Sequence, residues 1–121
     1  MFAPPPEINV ISIFSNRCQE LVEFYFDIGM LFFPYENDIG QKCYSFKNDK
    51  LIFEIIEVEK SSDVTKNLKI RFHIDDVKGY IEDIKIRDFK IIKGFSETDL
   101  AGNLIFKDFA GNSIELITYK Q

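Results

Sequence analysis

Three basic side chains occupy alternate positions in residues 68–74: Lys69, Arg71 and His73. Alternate residues of a strand share a face, so these three line one side while Ile70, Phe72 and Ile74 line the other. An ammonium, a guanidinium and an imidazole on one surface are suited to an anion. A guanidinium fork holds a carboxylate or phosphate through two parallel hydrogen bonds. His73, the only histidine, fits such a face or the solvent rim beside it. Two carboxylates stand inside apolar runs, Glu54 in Phe53-Glu54-Ile55-Ile56 and Glu115 in Ile114-Glu115-Leu116-Ile117. A carboxylate among apolar residues is costly unless paired, so both either point into solvent or serve a site. Other chemistries lack their residues. There is no glycine-rich phosphate loop, no nucleophile elbow, and no serine or cysteine with a plausible histidine partner.

The elements that must position these groups follow from hydrophobic periodicity. Residues 8–14 read as a strand. Leu21, Phe24, Tyr25 and Ile28 then recur at 0, 3, 4 and 7, the apolar stripe of a helix. Asn16 with Gln19 resembles a capping box, and Gly29 suits the C-terminal stop. Strands are expected at 30–35, 42–46 and 51–58. Pro34 makes the first an edge or ends it early, and Asn48-Asp49 supplies a turn. Residues 59–67 are polar and aperiodic, a linker. The order then repeats: a strand at 68–74, an N-cap at Asp75-Asp76, and a helix with Val77, Tyr80, Ile81 and Ile84 at the same spacing. Strands follow at 89–93, 103–108 and 113–119, with Gly111-Asn112 as a turn. Two units of strand, helix and three strands form an internal duplication.

Bulk composition limits the function classes. A chain of 121 residues, 45% apolar and 29% charged, is one soluble globular domain. Its net charge of -5 and the absence of a basic cluster exclude nucleic acid as the expected partner. The first six residues carry neither a basic region nor an apolar run, so no secretory signal is expected. No apolar stretch approaches the length of a membrane span. Cys18 and Cys43 lie in different elements without metal-type neighbours and are expected as reduced, half-buried thiols. A cytoplasmic location follows.

Over residues 8–119 the chain resembles the glyoxalase, bleomycin-resistance and dioxygenase (vicinal-oxygen-chelate) superfamily. The resemblance rests on three segments. Glu20-Leu21-Val22-Glu23-Phe24-Tyr25, running into Ile28-Gly29-Met30, is similar to the family's first helix. Phe72-His73-Ile74-Asp75-Asp76-Val77 is similar to its entry to the second helix. The run from Asp108 to Leu116 is similar to its closing segment, with Phe109 and Ala110 where the family has proline and aspartate. The implied fold is α+β, with two βαβββ repeats forming a curved mixed sheet. Helices would lie on the convex face and a ligand cavity on the concave face. The domain would span 1–121, with repeats at about 8–58 and 68–119.

The family's metalloenzymes take four ligands from the first and last strands of each repeat, and a divalent metal there polarises two substrate oxygens. The closing positions match Glu54 and Glu115. The opening positions fall on Val10, or on Asn9 if one residue is inserted, and on Lys69. Ser12 is easier to place in a cavity than against a core, which favours Val10. Valine offers no donor atom. A lysine ammonium, with a pKa of about 10.4, repels a dication. The resemblance therefore implies that the metal site is lost and that no cofactor is expected.

The face that would have held the metal then carries Ser12, Phe14, Glu54, Lys69, Arg71, His73 and Glu115. Lys69 would compensate the two glutamates in the space left by the metal. The expected function is binding of a small organic molecule, an anion best suiting Arg71, in a metal-free cavity. The alternatives are a metal-dependent lyase, isomerase or dioxygenase with an altered ligand set, and a protein–protein adaptor with a vestigial cavity. A homodimer is expected, as is common in the family.

Overall fold

The computed structural model describes residues 3–86 and 90–120, and the side chains of 82–86 and 90 lie outside that description. The chain forms two compact units, 1–64 and 65–121. The first runs β1 (Val10–Ser15), α1 (Cys18–Phe26), β2 (Phe33–Glu36), β3 (Lys42–Asn48) and β4 (Leu51–Glu57), followed by a 3-10 turn at Ser61–Asp63. The second runs β5 (Lys69–His73), α2 (Val77–Ile86), β6 (Lys90–Glu97), β7 (Ala101–Lys107) and β8 (Ser113–Tyr119). Each unit is a βαβββ fold with its own four-stranded mixed sheet, ordered β1-β4-β3-β2 in the first and β5-β8-β7-β6 in the second. The opening strand pairs parallel with the closing strand in both, and the other pairs are antiparallel.

The duplication read from the sequence is therefore structural, and the boundaries differ for local reasons. The strand expected over 30–35 is confined to Phe33–Glu36. Met30 and Phe32 are instead buried in the lead-in, Phe32 against the rings of Tyr25, Phe46 and Phe53. Pro34 does sit on an edge strand, where its missing N–H costs no ladder bond. The capping box does not form: Arg17 is the N-cap of α1, and no side chain caps it. Gly29 does end the helix. Its φ of 99° lets Met30 N–H reach the Tyr25 carbonyl at 3.0 Å while Gly29 N–H reaches Phe26 O at 2.9 Å. Those two bonds are a Schellman turn.

In the first unit α1 buries Leu21, Phe24 and Tyr25. Tyr25 meets Phe24 at 5.2 Å and Phe53 at 5.4 Å, both edge-on, which places ring edges on ring faces. In the second unit Val77 of α2 is buried, as are Leu104, Phe106, Ile114 and Leu116 of the sheet. Asp76 caps α2 by accepting from Gly79 N–H at 3.2 Å, and Thr118 Oγ1 accepts from Val77 N–H at 2.8 Å. Tyr80 and Ile81 are half-buried, and the Ile84 side chain and Phe89 lie outside that description.

The closing turn of the second unit is held by buried polar groups. Asp108 Oδ1 accepts from the N–H groups of Ala110 and Asn112, both at 2.9 Å. The Asn112 amide donates to Asp108 Oδ2 and to the Thr65 carbonyl, each at 3.0 Å, and its oxygen accepts from Leu68 N–H at 3.0 Å. This asparagine ties the start of β5 to the turn that feeds β8. Gly111, at φ 93°, supplies the left-handed residue the turn needs.

Both cysteines are buried rather than half-buried, and both are free. Cys18 Sγ donates to the Ser15 carbonyl at 3.3 Å, and burial, followed by the Glu57 charge, pushes its pKa up to about 11.

Candidate functional site

Strand alternation places the singled-out residues on the sheet faces opposite the helices. In β1, Ile13 and Ser15 are buried while Val10, Ser12 and Phe14 are exposed. In β5, Lys69, Arg71 and His73 are exposed and alternate with half-buried Ile70 and Phe72. The parallel registers are equivalent. Ser12 lies opposite Glu54 in the first sheet, and Arg71 lies opposite Glu115 in the second. Val10 and Lys69 therefore hold corresponding places, as do Phe14 and His73.

The two glutamates are held by different chemistry. Glu115 is 2% exposed. Its Oε1 receives the Arg71 guanidinium at 3.2 Å and the Lys69 ammonium at 3.4 Å. Its Oε2 receives the Asn103 amide at 3.2 Å, and Asn103 is in turn held by Ser96 Oγ at 3.1 Å. Burial acts to raise the Glu115 pKa, but Asn103, Arg71 and Lys69 together outweigh it and hold the carboxyl below its ordinary value. The cations themselves remain accessible: the Lys69 and Arg71 side chains are 58% and 53% exposed. Each retains N–H donors beyond its bond to Glu115.

Glu54 is half-buried and receives hydroxyl groups. Ser12 Oγ donates to Oε1 at 2.5 Å, and the Tyr35 hydroxyl donates to Oε2. Burial and the Glu54 carboxylate both push the Tyr35 phenol's pKa up, so it stays a donor. Among the described residues Glu54 makes no ion pair. His73 stacks on Tyr119, with ring centroids 5.6 Å apart and planes 28° from parallel.

Three partners of this arrangement escaped the sequence reading: Tyr35, Asn103 and Tyr119. Tyr119 shares the face of Glu115 by simple alternation, so counting along β8 would have found it. Asn103 reaches Glu115 from the adjacent strand β7, and Tyr35 reaches Glu54 from β2 across the intervening β3, so both require the cross-strand register. Two depressions also lie away from the expected residues. One of about 560 Å³ in the first unit is lined by Gly40, Lys42, Glu57, Lys60 and Asp63 among others. One of about 140 Å³ in the second lies beside Asp76, Phe95 and Thr118. The first carries charges of both signs in an open surface, which fixes no one ligand chemistry.

The residues present do not fit the family's divalent metal. The opening positions carry Val10, which has no donor, and Lys69, whose ammonium rests on Glu115. Both oxygens of Glu115 and both of Glu54 already accept hydrogen bonds or ion pairs within their own units. Among the described residues no three His, Cys, Asp or Glu side chains gather as a metal would require.

No protein-family model and no curated protein sequence matches this chain. Solved structures do. An antibiotic binding protein from Streptomyces superposes with a TM-score of 0.76 at 15% identity, over 98% of this chain and 100% of its own. A glyoxalase/bleomycin resistance protein/dioxygenase from Nocardioides gives 0.70 at 12% identity, over 99% and 87%. A lactoylglutathione lyase from Agrobacterium tumefaciens gives 0.66 at 17% identity, over 95% of both chains. The fold is thus that of the glyoxalase and bleomycin-resistance proteins. At these identities the likeness concerns the fold, and function has to be argued from the side chains. No helix among the described residues is long and apolar enough to cross a membrane.

Proposed function

We propose that this protein binds a small organic anion, without a metal, on the face of the second unit that carries Lys69, Arg71 and His73 beside Glu115. The observation that carries this reading is the state of Arg71 and Lys69. Both are anchored by a buried carboxylate and both keep half their side-chain surface in solvent. Anchoring removes much of the rotamer entropy that a ligand would otherwise have to freeze. The unused guanidinium N–H groups can then take a carboxylate or phosphate, with His73 and Tyr119 beside them as a flat flank. One of the structural neighbours is an antibiotic binding protein, so the fold is compatible with holding an organic ligand.

Calorimetric titration with phenyl phosphate and benzoate tests this. Saturable binding that weakens about tenfold or more in Arg71→Gln, through loss of a charge-assisted bond, is expected. Absence of binding, or binding indifferent to Arg71, overturns the reading. The same proposal includes a homodimer, supported by exposed apolar side chains such as Phe26, Phe33 and Ile39. Light scattering that gives the mass of one chain at high micromolar concentration would contradict that part. We also propose a cytoplasmic location, a reading supported by two free buried thiols, which suit a reducing compartment.

A further inference from the structure

The first sheet carries a different charge logic from the second. Reading straight across its four strands, the row through Glu54 is Ser12, Glu54, Ser45 and Phe33. The corresponding row of the second sheet is Arg71, Glu115, Ile105 and Lys93. The second row contains two cations and one carboxylate. The first contains one carboxylate and no cation. Glu54 is thus a half-buried carboxylate whose only hydrogen-bond partners among the described residues are the hydroxyls of Ser12 and Tyr35. Lys47, which faces the same side opposite Ile52, makes no ion pair with it.

The surroundings of that carboxylate are apolar and accessible. Val10 is 45% exposed, Phe14 37% and Tyr35 39%. Phe33 stands two strands away in the same row and is exposed as well. Hydroxyl donors orient a carboxylate without cancelling its charge. A fixed negative charge beside aromatic faces is complementary to an organic cation, which gains both the ion pair and the attraction of the ring quadrupoles. An anion is repelled there, so this surface does not duplicate the role given to Arg71.

We infer that the face of the first sheet built on Glu54, Ser12, Tyr35, Phe14 and Val10 is a binding site for an organic ammonium ion. Glu54 supplies the counter-charge, Ser12 and Tyr35 fix its orientation, and Phe14 and Val10 cover the apolar part of the ligand. The inference is independent of the anion reading, since it uses no residue of the second unit.

The test is an NMR titration of the full chain with benzylammonium, beside magnesium and benzoate as controls. Saturable shifts centred on Ser12, Phe14 and Tyr35 are expected with benzylammonium alone. Glu54→Gln removes the charge at nearly constant size and should weaken binding about tenfold or more. Ser12→Arg places in the first sheet the cation that the second already has opposite its glutamate. It should weaken binding equally without emptying the position, so a folding defect in one variant leaves the other to decide. Arg71→Gln should leave benzylammonium unaffected, which separates failure here from failure of the anion site. No saturation at concentrations up to about 10 mM overturns the inference. So does the same response to magnesium, or binding unchanged in both Glu54→Gln and Ser12→Arg.

Discussion

Ser12 and Arg71 occupy the same register position in their respective sheets, each directly opposite the glutamate of the closing strand. One offers a neutral hydroxyl and the other a permanent cation. That single difference leaves Glu54 without an ion pair among the described residues and makes Glu115 part of an ion-paired cluster. The duplicated backbone presents two similar faces, and the side chains at one equivalent pair of positions give them opposite electrostatic character.

Acid stability should depend on Glu115. Its pKa is depressed in the folded protein relative to an ordinary value of 4.5. A depressed carboxyl contributes stability that is fully present above the unfolded value and is lost as pH falls through the folded one. The stability of the wild type to chemical denaturant should therefore fall below about pH 4.5. Glu115→Gln should be less stable at neutral pH and should show a shallower decline over that acid range. Parallel curves for the two proteins would exclude a role for this ion pair in stability.

Asn112→Ala should destabilise the second unit by more than about 2 kcal/mol, because several buried groups lose a partner together. Leu68 N–H and the Thr65 carbonyl both depend on the Asn112 amide, which is almost wholly buried. Urea unfolding reads the loss directly. Asn112→Asp should be nearly as damaging, since it brings a second carboxylate against Asp108.

Element order, the repeat and the exposed faces of β1 and β5 were legible because strand alternation and the spacing of Leu21, Phe24 and Tyr25 are local signals. Gly29 was legible for the same reason, a residue type demanded by one backbone angle. What stayed hidden depends on register between strands. Tyr35 reaches Glu54 diagonally from the edge strand, and Asn103 reaches Glu115 from β7. Neither spacing can be counted along the chain. The two glutamates also look identical in their apolar runs, yet one is buried and the other half-exposed. Glu115 is covered by Lys69, Arg71 and Asn103, whereas Glu54 meets the hydroxyls of Ser12 and Tyr35. The Asn16 capping box failed because a pattern of residue types does not fix where the first helical turn begins, and Arg17 took that place.

Metal content should be negligible. Protein purified without added metal is expected to carry no zinc, nickel, iron or manganese near stoichiometry, measured by elemental analysis. A chelator should leave the thermal midpoint unchanged, because a ligand that binds only the folded state would shift it when removed. A stoichiometric metal lost together with stability would mean that Glu54 or Glu115 gives up its present partners to a cation. It would also remove the basis for the ammonium site.

The cysteines offer a readout of local opening. Burial holds the Cys18 thiol at a pKa of about 11, with the Glu57 charge adding to the effect, and burial raises Cys43 as well. The thiolate is the reactive form, so both groups are almost entirely unreactive thiols at pH 8. Cys18 lies in the first turn of α1 and Cys43 in β3, with the side chain of each shielded from solvent. A disulfide-exchange reagent should therefore label neither promptly in the native protein and both at once in urea. Where labelling is slow, its rate should follow the fraction of molecules in which the first unit has opened, and destabilising that unit with Tyr25→Ala should accelerate it. Asn112→Ala, which acts in the second unit, should accelerate labelling only if the two units unfold together. Prompt native labelling of either cysteine would show that its burial is not maintained in solution.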